Sequence, residues 1–296
     1  MFEGLFFQLS SKNSDQIIPD LLRAPEIQDM SSLIPLLNKA SVIRPFSLIA
    51  YADLAIKAIS ENNIKMDLLS SLLNPDSEYP GSIVLTYHLW KKGFYSDEEV
   101  TNYIFDKYQH FGNYKSRYLF VIFSQLIKDR NRDLFEHECH SFYMTYAISG
   151  FSNIFTSFFE RLPSMSKEEV KSLIKAPYGD VGNAIVNDNV DYLRANNIDP
   201  KGHLTPSFFM ATDLAQQSPT YLQWSAFCSA ENCFNFLLEA GADPQAKDRQ
   251  GRSSLQYAAA GGNLTILREL QNIVSDMDRA KETANEYENL EVFKQI

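Results

Sequence analysis

Leu237-Leu238-Glu239-Ala240-Gly241-Ala242-Asp243-Pro244, followed closely by Asp248-Arg249-Gln250-Gly251-Arg252-Ser253-Ser254-Leu255-Gln256-Tyr257-Ala258-Ala259, decides how the rest of the chain is read. An aliphatic pair running into glycine reads as the end of a helix, because glycine takes positive φ without a Cβ penalty. Asp243-Pro244 turns the chain outward and Asp248–Gly251 brings it back to a new helix start. A shift of 33 residues lays Leu222-Gln223-Trp224-Ser225-Ala226 on Leu255-Gln256-Tyr257-Ala258-Ala259 without a gap. The same shift lays Cys233-Phe234 and Leu237 on Ile266-Leu267 and Leu270. A period of this length marks stacked helix pairs.

The spacing has a physical sense. Leu255 and the small pair Ala258-Ala259 allow close approach of a second helix carrying Ile266, Leu267 and Leu270, with Gly262 ending the first helix between them.

These residues resemble the ankyrin repeat, whose pattern runs Asp-x-x-Gly-x-Thr-Pro-Leu-His-x-Ala-Ala-x-x-Gly, then an aliphatic second helix, then Leu-Leu-x-x-Gly-Ala-Asp-Pro. Asp248, Gly251, Ser253, Leu255, Ala258, Ala259, Gly262 and Asn263 follow its first part, and residues 237–244 follow its last part almost letter for letter. Ser254 replaces the pattern's proline, Gln256 its histidine, and Ser229 the glycine of the preceding copy. Upstream, Val190-Asp191-Tyr192-Leu193 and Asn197-Ile198-Asp199-Pro200 resemble a second helix with its exit turn, at an offset of 44. The excess of 11 residues sits between Pro200 and Thr220 and contains Phe208-Phe209-Met210, which packs under the array or lies on its binding side. Downstream, Thr283–Tyr287 and Asn289–Phe293 resemble a further copy, whose six acids against three bases from Asp276 on suit the polar face of a capping repeat.

From residue 30 to about 175 the texture is helical periodicity broken by short polar turns. Leu48, Ile49, Ala52, Ala55, Ile56 and Ile59 predict a helix over Phe46–Ile59. Asn74-Pro75-Asp76 and Tyr79-Pro80-Gly81 predict breaks, since proline cannot donate to a continuing helix. Ser96-Asp97-Glu98-Glu99 and Ser166-Lys167-Glu168-Glu169 have capping-box spacing. Phe151, Phe155, Phe158 and Phe159 recur at helical steps and are expected in the core. Ala176-Pro177-Tyr178-Gly179-Asp180 closes this half. Leu36–Pro45, the Asn187-Asp188-Asn189-Val190 step and the Cys233–Leu238 helix together resemble ankyrin proteins of large paralogous families in unicellular eukaryotes. Those proteins carry a helical amino-terminal domain of unassigned activity.

The expected fold is therefore all-α: an amino-terminal segment 1–29, a helical domain 30–176, and an ankyrin-type helix-turn-helix solenoid over 180–296. The solenoid comprises a degenerate repeat at about 183–217, repeats at about 218–247 and 248–275, and a degenerate capping repeat at 276–296.

Composition excludes several classes. Apolar residues make up 45% of the 296, with 21 Phe and 15 Tyr, too much for a disordered chain. A net charge of -10 repels phosphate backbones and anionic lipid alike, which argues against nucleic acid. The basic clusters Lys91-Lys92 and 128–133 are short, the latter broken by acids, and read as solvated helix faces. Three cysteines, an odd and sparse set, argue for a reducing, intracellular and cytoplasmic setting without a disulfide framework. Met1–Phe7 carries an acid where a signal peptide needs positive charge, and the longest apolar run, Tyr118–Phe123, is far below the roughly 20 residues that span a bilayer.

No glycine-rich phosphate loop or dinucleotide fingerprint is present, and Gly150-Phe151-Ser152-Asn153-Ile154 lacks the closing glycine of a nucleophile elbow. His137-Glu138-Cys139-His140 has metal-ligand residue types, but its histidines are three apart rather than four and no second Cys/His pair lies nearby. A helix surface with a half-buried cysteine is the better reading. Cys228 and Cys233 read as small hydrophobes at repeat positions, Trp224 and Tyr257 as packing residues, and the triplet Asn263-Leu264-Thr265 as a helix start. No catalytic residue, cofactor or metal is expected.

What the resemblance implies is binding. Its contacting positions are those after the Asp, around the Gly and at the end of the first helix: Arg249, Gln250, Arg252, Ala260 and Gly261, with Phe227 and Cys228 in the preceding copy. The expected function is a non-catalytic scaffold or adaptor gripping a protein partner through the concave face. The alternative is an enzymatic or regulatory helical half that the repeats target.

Overall fold

The computed structural model describes residues 2–10, 13–74, 81–108, 111, 114–149, 153–274 and 276–296. Among the described residues every regular element is helical, and β structure is confined to two isolated bridges, His203 to Thr220 and Lys247 to Ser253. The chain divides into two compact units, Gly4–Lys175 and Ala176–Ile296.

In the first unit, helices begin where a side chain can satisfy the leading N–H groups. Ser96 and Glu99 close a capping box ahead of Asp97–Lys107, and Ser166 and Glu169 exchange the same pair of bonds (2.7 and 3.2 Å) before Lys167–Lys175, as their spacing predicts. The helix expected over Phe46–Ile59 spans Leu48–Ala58 and buries Leu48, Ala52 and Ala55, whereas Ile49 is 46% exposed on the opposite face.

Phe111, Phe120, Phe135, Phe142 and Phe159 form a continuous aromatic core with neighbouring ring centroids 4.9 to 5.3 Å apart. Of the expected phenylalanine series, Phe159 is buried while Phe155 and Phe158 are half-buried, because the helix Asn153–Arg161 turns one face inward. Phe151, with the breaks expected at Pro75-Asp76 and Tyr79-Pro80, lies outside the described residues. The amino-terminal helix Phe2–Phe7 docks through buried Phe6, whose carbonyl accepts a 2.9 Å bond from the Tyr51 hydroxyl.

The second unit stacks four helix pairs: Gly179–Val186 with Val190–Ala195, Tyr221–Phe227 with Glu231–Glu239, Ser254–Gly261 with Leu264–Gln271, and Met277–Glu286 with Leu290–Gln295. First helices pack on first helices and second on second, so neighbours complete the apolar face that no single pair can bury. Leu222 and Leu255 are both fully buried, as are Trp224 and Tyr257.

The bend inside each pair falls on a residue of positive φ: Asp188 (49°), Ser229 (56°), Gly262 (79°) and Glu288 (54°). A non-glycine residue there is strained by roughly 1 kcal/mol, and Asp188 offsets that strain. Its carboxylate accepts the N–H groups of Asn232 and Cys233 (3.3 and 2.9 Å), capping the helix Glu231–Glu239, whose own N-cap residue is Ala230.

Candidate functional site

The second and third pairs are each entered through a finger closed by a bridge, and that of the third pair shows the basic design. Buried Asp248 accepts the N–H groups of Gln250 and Arg252, both at 2.8 Å, while Gly251 (φ 78°) donates to the Asp248 carbonyl. The bridge Lys247 to Ser253 closes this turn around five residues, 248–252. The equivalent bridge before the second pair, His203 to Thr220, encloses sixteen, 204–219. The excess residues therefore lie wholly inside one finger.

They form a loop with a closed neck. Leu204 N–H donates to the Pro219 carbonyl and the Ser218 hydroxyl to the Leu204 carbonyl, both at 2.9 Å, so residues 205–218 leave and return at one point, as in an Ω-loop. Phe208, Phe209, Met210, Leu214 and Ala215 are all buried, so the first of the two placements open to this segment holds: it packs against the array.

The surface it packs on is a row of aromatic side chains from the pairs. Tyr178 lies 4.7 Å from Trp224, Trp224 5.5 Å from Phe227, and Phe227 6.5 and 6.1 Å from Tyr257 and Tyr287. Three phenols from different repeats grip successive loop residues. Tyr178 shares a hydrogen bond with the backbone of Ala211, Tyr287 shares one with the Thr212 hydroxyl, and the Tyr257 hydroxyl lies 3.0 Å from the Leu214 carbonyl and 2.8 Å from Asp248 Oδ2. Arg252 Nη2 donates to Asp213 Oδ2 (2.8 Å). Burial, with the Asp248 carboxylate adding at Tyr257, pushes all three phenols above their ordinary value of 10.0, so they remain neutral.

The residues expected to touch a partner divide accordingly. Arg249 and Gln250 are exposed at the finger tip. The backbone N–H of Arg249 donates to the Gln217 carbonyl (3.1 Å), and the Gln250 side-chain oxygen accepts from Arg252 (2.5 Å). Arg252, Gly261 and Cys228 are half-buried. Phe227 and Ala260 are buried, at 4% and 2% exposure, with the loop in place. Successive first helices pack closely at this end: a Cβ at Gly261 would stand 2.5 Å from the Phe227 carbonyl oxygen and 2.6 Å from that of Ala226.

Elsewhere the chemistry is muted. His137 and His140 are exposed on the helix Arg132–Ser149, while Cys139 between them is buried, its thiol pushed up to about 12 by desolvation. Burial likewise takes Cys233 to about 12. Neither is a thiolate near neutrality. Among the described residues no group of three or more His, Cys, Asp and Glu could hold a metal ion, and no helix is long and apolar enough to cross a membrane. The helical unit holds a cleft of about 390 Å³ walled by Tyr87, Trp90 and Phe123, its rim charged by Lys91, Asp97 and Asp129. The Trp90 indole donates to Asp97 (2.7 Å), and Asp129 pairs with Lys167 (2.6 Å).

Sequence reading missed Tyr178, Tyr287 and Asp188 as working residues. Tyr178 sat in the closing turn of the first half, and no repeat spacing marked it. Asp188 was visible only as part of a step between helices, although an acid just ahead of the next helix is a capping signal once the two helices are known to be neighbours.

In comparison with known proteins, residues 229–270 fit the model of a family described as ankyrin repeats (many copies). That match falls on the second helix of the second pair and on the third pair, and this stretch of the chain is built of ankyrin repeats.

Proposed function

We propose that this chain is a non-catalytic, intracellular adaptor that binds a protein partner through the fingers and first-helix face of its repeats, with residues 30–176 as a helical domain organising the assembly. Ankyrin repeats are in general protein-interaction modules, and unpaired cysteines fit a reducing compartment. The observation that carries the reading is the finger 248–252. Asp248 holds it from below, so Arg249 and Gln250 project from a turn that is already ordered, and little entropy is lost on docking. Affinity capture with the intact chain and with Arg249→Glu tests this. Capture is expected to fall about tenfold, as for a charged contact, and unchanged capture of every partner overturns it.

The cleft beside Trp90 favours the alternative, a helical half with its own small-molecule activity, but its rim acids Asp97 and Asp129 are engaged, and His137 and His140 are not among its lining residues. A small-molecule screen by thermal shift, repeated with Trp90→Ala, decides between the two readings.

A further inference from the structure

The loop 205–218 covers the face on which the adaptor reading depends. It is no part of the repeat itself, since the next finger closes in five residues, and its two ends meet at the Leu204 to Pro219 neck. It is held as a docked peptide segment is held, its buried apolar run 208–211 leading into the short helix Asp213–Gln216. Backbone groups of Ala211 and Leu214 bond to tyrosines of different repeats, three apolar side chains in a row are buried, and one acid meets one arginine. Of the positions expected to meet a partner, Arg249 bonds to the loop through its backbone, Arg252 through its guanidinium, and Gln250 through Arg252.

We propose that this loop is an intrachain stand-in for the partner: the first-helix face takes a segment of the type Phe-Phe-Met-Ala-Thr-Asp, apolar residues followed by an acid at the start of a short helix, and residues 208–213 hold it closed until such a segment displaces them. The proposal rests on the adaptor reading and adds to it the chemistry of the partner and a means of control. Because the loop is tethered at both ends, it competes at an effective concentration in the millimolar range. The intact chain should therefore bind a free segment of the same sequence only weakly.

A synthetic peptide of residues 204–219 provides the test, titrated against the full chain and against a chain whose residues 204–219 are replaced by Asp-Arg-Gln-Gly-Arg, the five that close the next finger. Binding to the shortened chain is expected to be at least about tenfold tighter than to the intact chain. Asp213→Lys in the peptide is expected to weaken it about tenfold. Equal affinity for both chains, or a folded shortened chain that does not bind the peptide, overturns the proposal. Should the shortened chain not fold, Asp213→Lys in the intact chain replaces it. Hydrogen exchange over 207–217 is then expected to quicken about tenfold while the helices Glu231–Glu239 and Leu264–Gln271 keep their protection. Exchange as slow as before would show a fixed filler and also overturn the proposal. Peptide binding together with partner capture indifferent to Arg249→Glu removes the adaptor reading alone, and the reverse pair of results removes the loop proposal alone.

Discussion

Tyr257 is equivalent to Trp224 in the repeat, yet its hydroxyl gives it a second task, between the Leu214 carbonyl and Asp248. Tyr257→Phe keeps the ring and removes the one hydroxyl hydrogen that these two acceptors share, which is expected to destabilise the unit by about 1–3 kcal/mol in urea unfolding. A smaller residue is no more dispensable where helices meet. Gly261→Ala is expected to cost more than Ala260→Gly, because its Cβ meets backbone oxygens at 2.5 and 2.6 Å that cannot swing away, and the unfolding midpoints of the two variants check the order. In the helical unit, burial and then the Lys92 charge pull His88 from 6.5 down to about 4. The folded state binds that proton less readily than the unfolded chain, so stability is whole above pH 6.5 and declines as pH falls toward 4. The decline amounts to about 3 kcal/mol at most, and His88→Gln is expected to flatten it in unfolding curves recorded across that range.

At the scale of elements, the capping residues were legible because a cap is a local event: a hydroxyl and a carboxylate or amide three residues apart need no knowledge of the fold. Ser96 with Glu99 and Ser166 with Glu169 were read this way, and the boxes Thr220 with Gln223 and Ser253 with Gln256 open both recognised first helices. Gln223 does more, its amide donating to the Ala246 and Arg252 carbonyls (2.9 and 3.0 Å) and so joining the first helix to the finger that follows. Thr220→Ala is expected to cost about 1 kcal/mol for the lost cap, and Gln223→Ala more, because it also leaves two finger carbonyls unpaired, with thermal unfolding as the measure. The loop behaved differently. Its extra residues could be counted from the offset of 44, and its apolar triplet seen, but its burial could not be placed, because Tyr257 lies 43 residues from Leu214 and no local rule joins them.

Across the whole carboxyl-terminal unit, stability is a matter of neighbours, since each first helix is covered by the next. Asn289 shows the coupling: its amide donates to the Ala259 and Ala260 carbonyls at 2.8 and 2.7 Å, at the end of the preceding first helix. A chain ending at residue 275 loses that cap and the Tyr287 bond to Thr212 together. Amide exchange is expected to accelerate most in Ser254–Gly261 and the loop, less in Tyr221–Phe227, and least in Gly179–Val186, a gradient that a single rigid core would not show. The all-helical character, the helix-pair period, the bends at Gly241 and Gly262 and the core role of Trp224 and Tyr257 were determined by the sequence alone. Each follows from backbone sterics or from hydrophobic spacing within a few turns. Which face stays open was decided only by the tertiary structure, because closing it depends on contacts between residues about forty apart that become neighbours only when the helix pairs stack.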